Sequence, residues 1–168
     1  DYAALAKYSE GLIVTTACVG GHIPTLLREG NITEAKQRVD WFLHTFGPDR
    51  FFFELQPPSF DKQVITNEQL IKYSTEWSIK CTASSDAHYL AQADKEAHEI
   101  MLSIQTKDVI SNPDRFSFGE CNVYVRNTQE MLDVFADNQQ ALWNTGFIAD
   151  QCDYAFEFGK LFFPVFPI

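Results

Sequence analysis

The sequence predicts an α/β fold in which mainly parallel strands alternate with helices. Two short apolar runs, at residues 12–16 and 51–56, and a run of small and β-prone residues at 80–86 are typical of strands in such a sheet. The helical segments between them are long enough to be crossover connections, which are right-handed as a rule. These observations fit one half of an open α/β sheet or of a barrel, in a chain of single-domain length.

The first elements alternate in the expected order. Residues 1–9 are predicted to be helical, and the run at 12–16 is the first strand. A short helix is predicted to start near Pro24, at a position where proline is tolerated. A cap at Asn31 begins a longer helix that ends at Gly47. The apolar positions of that helix recur at helical spacing: Ala35, Val39, Phe42, Leu43 and Phe46.

The middle of the chain supplies the second and third strands. The second strand, at 51–56, ends at Pro57. A capping box at 66–69 predicts the start of the next helix, and the third strand follows at 80–86. One side of this helix carries the following residues: Leu70, Ile71, Ser74, Trp77 and Ser78.

Helices are predicted to dominate after Leu90. A helix over 93–105 contains His98, and a short strand is predicted at 122–125. Capping boxes that begin at Asn127 and Asp137 predict two more helices. The side predicted to face inward in the first of these three helices consists of Ala93, Ala97, Ile100, Met101 and Ile104. In the last helix it consists of Leu142, Thr145, Ile148, Ala149 and Cys152.

Charge and cysteine usage exclude several classes of protein. The chain carries 13 Lys and Arg against 23 Asp and Glu, a formal net charge of −10. A basic nucleic-acid-binding surface is therefore absent, and direct binding of nucleic acid by this chain is expected to be weak. The four cysteines form no C-x-x-C pair, and the sequence has no run of membrane-spanning length. We expect a reduced, cytoplasmic protein.

Candidate ligand residues come at the carboxyl ends of the three predicted strands. Cys18 follows the first strand, Glu54 and Gln56 close the second, and Asp86 and His88 end the third. Side chains two apart in a strand share a face, so Asp86 and His88 are expected to point toward one ion or reacting group. Carboxylate and imidazole suit zinc, manganese or iron, and this edge of an α/β sheet usually carries the chemistry.

The chain resembles a known family through several short blocks in one order and spacing. The blocks are Glu10 to Val14, Ala17 to Gly21 with Ile23 and Pro24, Phe53 to Gln56, Ser85 to Leu90, Glu96 to Glu99 with Ile104 to Thr106, Asn112 to Phe116, Glu130 and Met131 with Phe135 to Asp137, and Leu161 to Pro167. They resemble the later part of the PHP (polymerase and histidinol phosphatase) domain of bacterial and phage DNA polymerase III alpha subunits, the C-family replicative polymerases.

The resemblance implies a distorted seven-stranded barrel of α/β type, of which this chain is the C-terminal part. Residues 1–160 would belong to that domain, and 161–168 would begin a linker into the polymerase core. Members of the family hold up to three metal ions, zinc or manganese. By this resemblance, Asp86 and His88 correspond to the last pair of metal ligands of the family, and Cys18 corresponds to a third ligand. Asp86 and His88 would also be catalytic. The other ligands of the family lie before the matched region.

Two functions follow from the resemblance. With a complete metal cluster, such a domain is a phosphoesterase that acts as a 3′ to 5′ proofreading exonuclease beside the Mg²⁺-dependent polymerase site. With lost ligands, it is a scaffold that docks a separate exonuclease subunit and other replisome components. DNA and deoxynucleotides would be bound by the rest of the parent chain, a nucleotidyltransferase. The isolated fragment is expected to be inactive, because its ligand set is incomplete.

Simpler interpretations stay open for each residue. An Asp-x-His triplet also arises by chance in a solvated loop, and Cys18 is equally a candidate for a buried structural thiol. Glu54 and Gln56 are rim candidates, and Glu54 is expected to support its neighbours because the family does not use this position as a ligand. His98 is expected to be a hydrogen-bonded residue in the core or behind the ligands.

Overall fold

A computed structural model describes residues 1–119 and 121–164. The described residues form a mixed α/β fold with seven α-helices and a three-stranded parallel sheet, which confirms the predicted class. In chain order the elements are α1 (Tyr2–Lys7), β1 (Val14–Thr15), α2 (His22–Arg28), α3 (Ile32–Phe46), β2 (Phe51–Leu55), α4 (Asp61–Trp77), β3 (Cys81–Ala83), α5 (Lys95–Thr106), α6 (Thr128–Val134) and α7 (Gln139–Gln151). The closed barrel stays a prediction.

The sheet follows the chain order β1-β2-β3, with β2 in the centre. Val14 is opposite Phe51, and Phe53 is opposite Cys81, both in parallel register. Helices α2 and α3 connect β1 to β2, and α4 connects β2 to β3, as the crossover lengths predict. The carboxyl ends of all three strands therefore meet at one edge of the sheet.

Strand β2 is buried on both faces, as its uninterrupted apolar sequence predicts. Phe51, Phe53 and Leu55 belong to the main core, which α3 and α4 cover from one side. Phe52 points to the opposite face, where its ring lies 6.4 Å from that of Phe147 in α7. The central strand thus joins two packed layers and holds the sheet in place.

Side chains of α7 cover the outer edge of β3. The Asn144 amide donates a hydrogen bond to the Cys81 carbonyl at 2.7 Å. The Thr145 hydroxyl lies 2.9 Å from the Ala83 carbonyl and 3.3 Å from the Ala83 amide nitrogen. Backbone groups that a fourth strand would use are therefore satisfied by a helix, which protects this edge from pairing with another chain.

Helix α4 begins earlier than predicted, and helix α3 begins at the predicted residue but without the predicted cap hydrogen bond. Helix α4 starts at Asp61, five residues before the predicted box at 66–69, and the Thr66 hydroxyl donates to the Lys62 carbonyl inside the helix. The helix begins early because the chain leaves the Pro57-Pro58 segment in extended geometry at Phe60. Helix α3 begins after Asn31 as predicted, although the Asn31 side chain makes no cap hydrogen bond.

Helix α5 forms where expected, after a 3₁₀ turn at Gln92–Asp94, but with another face inward. Its buried residues are Leu102 and Ser103. All five residues predicted to face inward are exposed: Ala93, Ala97, Ile100, Met101 and Ile104. The prediction was wrong because the helix turns the side that carries His98 and Glu99 toward a neighbouring loop, which the apolar spacing does not reveal.

Fewer of the predicted elements are confirmed in the C-terminal part of the chain. The predicted strand at 122–125 reduces to a single bridge between Tyr124 and Tyr89. The capping box at Asn127 is confirmed by reciprocal hydrogen bonds with Glu130. The box at Asp137 was wrong, because residues Ala136–Asn138 form a 3₁₀ turn before α7. On α7, the supposed inward residues Ala149 and Cys152 are exposed, whereas the Thr145 hydroxyl faces β3 and contacts Ala83.

The predicted linker at 161–168 falls partly outside the described residues. Residues 161–164 are irregular and exposed, and 165–168 are not among those described. The domain boundary near residue 160 stays a prediction. Within residues 1–119 and 121–164, no helix combines the length and apolar character needed to cross a bilayer.

Candidate functional site

Four of the predicted site residues line one cleft at the carboxyl edge of the sheet. The cleft has a volume of about 620 Å³, and Cys18, Gln56, Asp86 and His88 are among its lining residues. They come from the ends of three different strands, as the parallel topology requires. Clefts of this size and position commonly hold small ligands or cofactors.

Asp86 lies in the loop after β3 and not in the strand itself. Its φ is +50°, in the left-handed region that costs a residue other than glycine about 1 kcal/mol. Partial burial raises the pKa of its carboxyl, the nearby His88 lowers it, and the charge of Glu54 raises it further. The period-two argument was wrong here, because β3 ends at Ala83 and the pair is set by a turn.

A hydrogen bond within that turn fixes His88. Its Nδ1 lies 2.7 Å from the backbone carbonyl of Asp86, so Nδ1 carries the proton and donates. In the neutral imidazole, Nε2 is then the nitrogen with a free lone pair. His88 is exposed and its ring packs 4.8 Å from that of Phe118. Fixing one ring nitrogen by a carbonyl is the usual arrangement of metal-binding histidines.

Cys18 sits in the loop after β1 and is half-buried, not buried as a structural thiol would be. The loop is tight: the Gly21 amide donates to the Cys18 carbonyl at 2.8 Å. A Cβ added at Gly21 would meet the Thr16 carbonyl at 2.2 Å, so only glycine fits this turn. The glycine therefore holds Cys18 at the rim of the cleft.

Glu54 ties the three strand ends together. Its carboxylate accepts hydrogen bonds from the Thr15 hydroxyl at 2.5 Å, the Ser84 hydroxyl at 2.6 Å and the Gln56 side-chain amide at 3.1 Å. These partners belong to β1, to the residue after β3 and to the end of β2. A carboxylate with three donors is well compensated. This arrangement agrees with a supporting role for Glu54 and Gln56.

His98 of α5 lies behind His88, although not with the hydrogen bonding that was expected. Its ring centroid is 5.8 Å from that of His88 and 5.2 Å from those of Tyr89 and Phe118. Its Nδ1 is buried and has no hydrogen-bond partner within the described residues. His98 therefore supports the candidate pair by packing rather than by a hydrogen bond from Nδ1.

Sequence reasoning missed Glu99, which holds the loop that forms one wall of the cleft. Its carboxylate accepts hydrogen bonds from Arg115 at 2.6 Å, from the Ser117 hydroxyl at 2.7 Å and from the Phe118 amide at 3.0 Å. The side chains of Glu99 and Arg115 are only 12% and 15% exposed. No spacing signal links two residues so far apart in sequence.

The pKa of Glu99 reflects two opposed effects. Desolvation raises the pKa of the carboxyl, but the hydrogen bonds from Ser117, Arg115 and the Phe118 amide outweigh it and hold the pKa below the usual range. Glu99 is therefore charged near neutral pH. The wall of the cleft is thus fixed by a charged, nearly buried pair.

The residues of the cleft fit a divalent metal only in part. Asp86 offers a partly exposed carboxylate and His88 a free Nε2, which suits two ligand positions of a zinc or manganese site. Within residues 1–119 and 121–164, no three His, Cys, Asp or Glu side chains come together closely enough to hold an ion. Cys18 lines the same cleft but does not complete such a group.

Comparison with known proteins identifies the family. The family described as PHP domain matches residues 1–58, and the family described as PHP-associated matches residues 64–92. DNA polymerase III subunit alpha of Borreliella burgdorferi is 41% identical over 153 residues, which cover 91% of this chain. The chain belongs to the PHP-domain family of DNA polymerase III alpha subunits.

Other members of this family match nearly the whole chain. The alpha subunit of Deinococcus radiodurans is 32% identical over 163 residues, 95% of this chain, and that of Thermus aquaticus is 30% identical over 174 residues, 100% of it. The chain spans only 12–14% of the length of these relatives. It therefore corresponds to a PHP segment of polymerases that are several times longer.

Proposed function

We propose that this chain is the C-terminal part of a barrel-shaped PHP domain in a replicative DNA polymerase, and that it contributes to a metal-dependent phosphoesterase site. The observation that carries the proposal is the convergence of Asp86, His88 and Cys18 on one cleft at the carboxyl edge of the sheet. The likeness to polymerase subunits makes a DNA 3′ end the natural substrate. The reaction would be 3′ to 5′ trimming, as in proofreading.

Each residue has a distinct part in this proposal. Asp86 would bind a divalent zinc or manganese ion through its carboxylate, His88 through Nε2 and Cys18 through sulfur, with the remaining ligands from outside the described residues. When bound, such metal ions supply hydroxide near neutral pH and stabilise charge on the attacking and leaving oxygens. A cation next to Asp86 would favour its charged form, against the desolvation that raises its pKa.

The supporting residues hold this arrangement. Glu54 fixes the strand ends through Thr15 and Ser84, and His98 and Phe118 pack against the ring of His88. Polymerisation itself, with its Mg²⁺ and deoxynucleotides, would take place in the rest of the parent chain. The isolated segment would be inactive, because its ligand set is incomplete.

A second function is favoured by two observations. The described residues bring no three metal-binding side chains together, and α5 exposes Ile100, Met101 and Ile104. A domain that has lost its metals could use such an apolar face to dock a separate proofreading exonuclease subunit. In that case the cleft would have no catalytic role.

Metal removal separates the two functions. If the site is a phosphoesterase, chelation should abolish 3′ to 5′ trimming by the full-length protein, and added zinc or manganese should restore it. The assay follows shortening of a 5′-labelled single strand without deoxynucleotides, and primer extension with Mg²⁺ serves as the control. Trimming that is absent from a metal-loaded protein, or unchanged by chelation, would contradict the proposal and favour docking.

A further inference from the structure

We propose that Phe60 and Phe116 form a base-stacking rim at the mouth of the cleft, so that the cleft accepts an unpaired nucleotide of single-stranded DNA. This inference deepens the proposed function and rests on it for the identity of the substrate. Both residues line the cleft that contains Asp86 and His88. They come from separate segments, one before α4 and one in the loop after α5.

Both aromatic rings of the rim are accessible to a ligand. Phe60 is 39% exposed and Phe116 is 59% exposed. Aromatic side chains at the mouth of a site are the usual platform for unstacked bases, because every base presents a π-face. Stacking does not depend on the identity of the base, and an enzyme that trims any 3′ end must accept all four bases.

A line of ring contacts connects the rim to the candidate pair. The ring of Phe116 packs edge-to-face against that of Phe118 at 5.9 Å, and Phe118 lies 4.8 Å from the ring of His88. Phe116 is therefore two ring contacts from His88. A base stacked on Phe116 would leave its own sugar and phosphate close to Asp86 and His88.

The loop that carries Phe116 is held in place before a ligand binds. Glu99 accepts hydrogen bonds from the side chains of Arg115 and Ser117 and from the Phe118 amide, on both sides of Phe116 in sequence. A rigid aromatic surface loses little conformational entropy when it binds a ligand. The hydrogen bonds to Glu99 thus hold Phe116 in position before a base binds.

The charge of the cleft favours stacking over phosphate neutralisation as the source of affinity. Lys62 is the one Lys or Arg among the described residues that line the cleft. It has no carboxylate partner among the described ion pairs, so its ammonium is available to one phosphate. In a chain of net charge −10, one cation gives weak electrostatic binding. Base stacking would therefore have to supply most of the affinity for the nucleotide.

Photocrosslinking tests the rim without any need for catalysis. The probe is a twelve-nucleotide thymidylate strand whose 3′-terminal base is 5-iodouracil, which crosslinks to stacked aromatic rings on irradiation. In the full-length protein, with metals chelated, we expect crosslinked peptides that contain Phe116 or Phe60. Phe116→Leu keeps an apolar side chain but removes the flat ring, and should lower the crosslink yield at the cleft about fivefold or more.

The controls and outcomes keep the rim separate from the phosphoesterase. Trp143→Ala removes an exposed aromatic ring outside the cleft and should leave the yield unchanged. No crosslink at the cleft, or a crosslink yield in both Phe116→Leu and Phe60→Leu equal to that of the unmodified protein, overturns the rim even when trimming is metal-dependent. Crosslinking that depends on both rings in a protein without trimming supports the rim and contradicts the phosphoesterase alone.

Discussion

His88→Ala in the full-length protein is expected to lower metal-dependent trimming of a DNA 3′ end by about a hundredfold or more. Loss of a residue that merely orients a metal ligand typically costs ten- to a hundredfold, and the loss of a ligand should cost at least as much. Nucleotide incorporation should change little, because the proposed polymerase site would lie in the rest of the parent chain. The measurement is the initial rate of trimming with zinc or manganese, beside the rate of primer extension.

The matched control for this variant is His44→Ala, which removes an exposed histidine from the last turn of α3. It should leave trimming unchanged. Asp86→Asn should behave like His88→Ala, since it removes the charge from the carboxyl and retains its shape. Trimming by His88→Ala within twofold of the unmodified protein would remove this residue from the site.

Phe53→Ala is expected to cost about 3 to 5 kcal/mol in the free energy of unfolding of this domain. The side chain is fully buried in the central strand, with ring centroids 6.0 Å from Phe51 and 6.5 Å from Trp77. Its removal leaves a cavity where the layers on α3 and α4 meet β2. Hydrogen exchange in the peptide that covers β2 should become about a hundredfold faster or more.

Phe158→Ala serves as the control for the core variant, because the side chain is 94% exposed. Its effect on the unfolding free energy should stay within about 0.5 kcal/mol. Exchange in β2 that differs by less than threefold between Phe53→Ala and the unmodified protein would contradict the central position of this strand in the core.

The fold class was predictable because its signals are local. The apolar run 51–56 and the helical spacing of Val39 and Phe46 identify a buried strand and its crossover helix without knowledge of partners. The helix start at residue 66 was wrong because capping side chains also occur inside helices, as the bond from Thr66 to Lys62 demonstrates. Helix boundaries depend on the chain path before the helix.

The inward face of α5 was not predictable from spacing. Ile100 and Met101 look like core residues, but the helix turns Glu99 inward to meet Arg115. That choice is decided by a loop 16 residues away. The same long-range pairing explains why the hydrogen bonds of Glu99, and with them the proposed aromatic rim, could not be predicted from the sequence pattern.

The candidate site was predictable in its members more than in its geometry. Parallel strand order was sufficient to bring Cys18, Gln56 and Asp86 to one edge. The period-two argument for Asp86 and His88 was wrong, because the strand stops at Ala83 and a left-handed turn takes over. Turn geometry of this kind is a property of the folded loop and is not encoded by residue type alone.

The metal content of the full-length protein tests whether Asp86 and His88 bind a metal ion. After equilibrium dialysis against zinc or manganese, elemental analysis should find bound metal in the unmodified protein and in His44→Ala. We expect at least one ion fewer per chain in a protein that carries both Asp86→Ala and His88→Ala. Equal metal content in the unmodified protein and the double variant, or no bound metal in either, would exclude Asp86 and His88 as metal ligands.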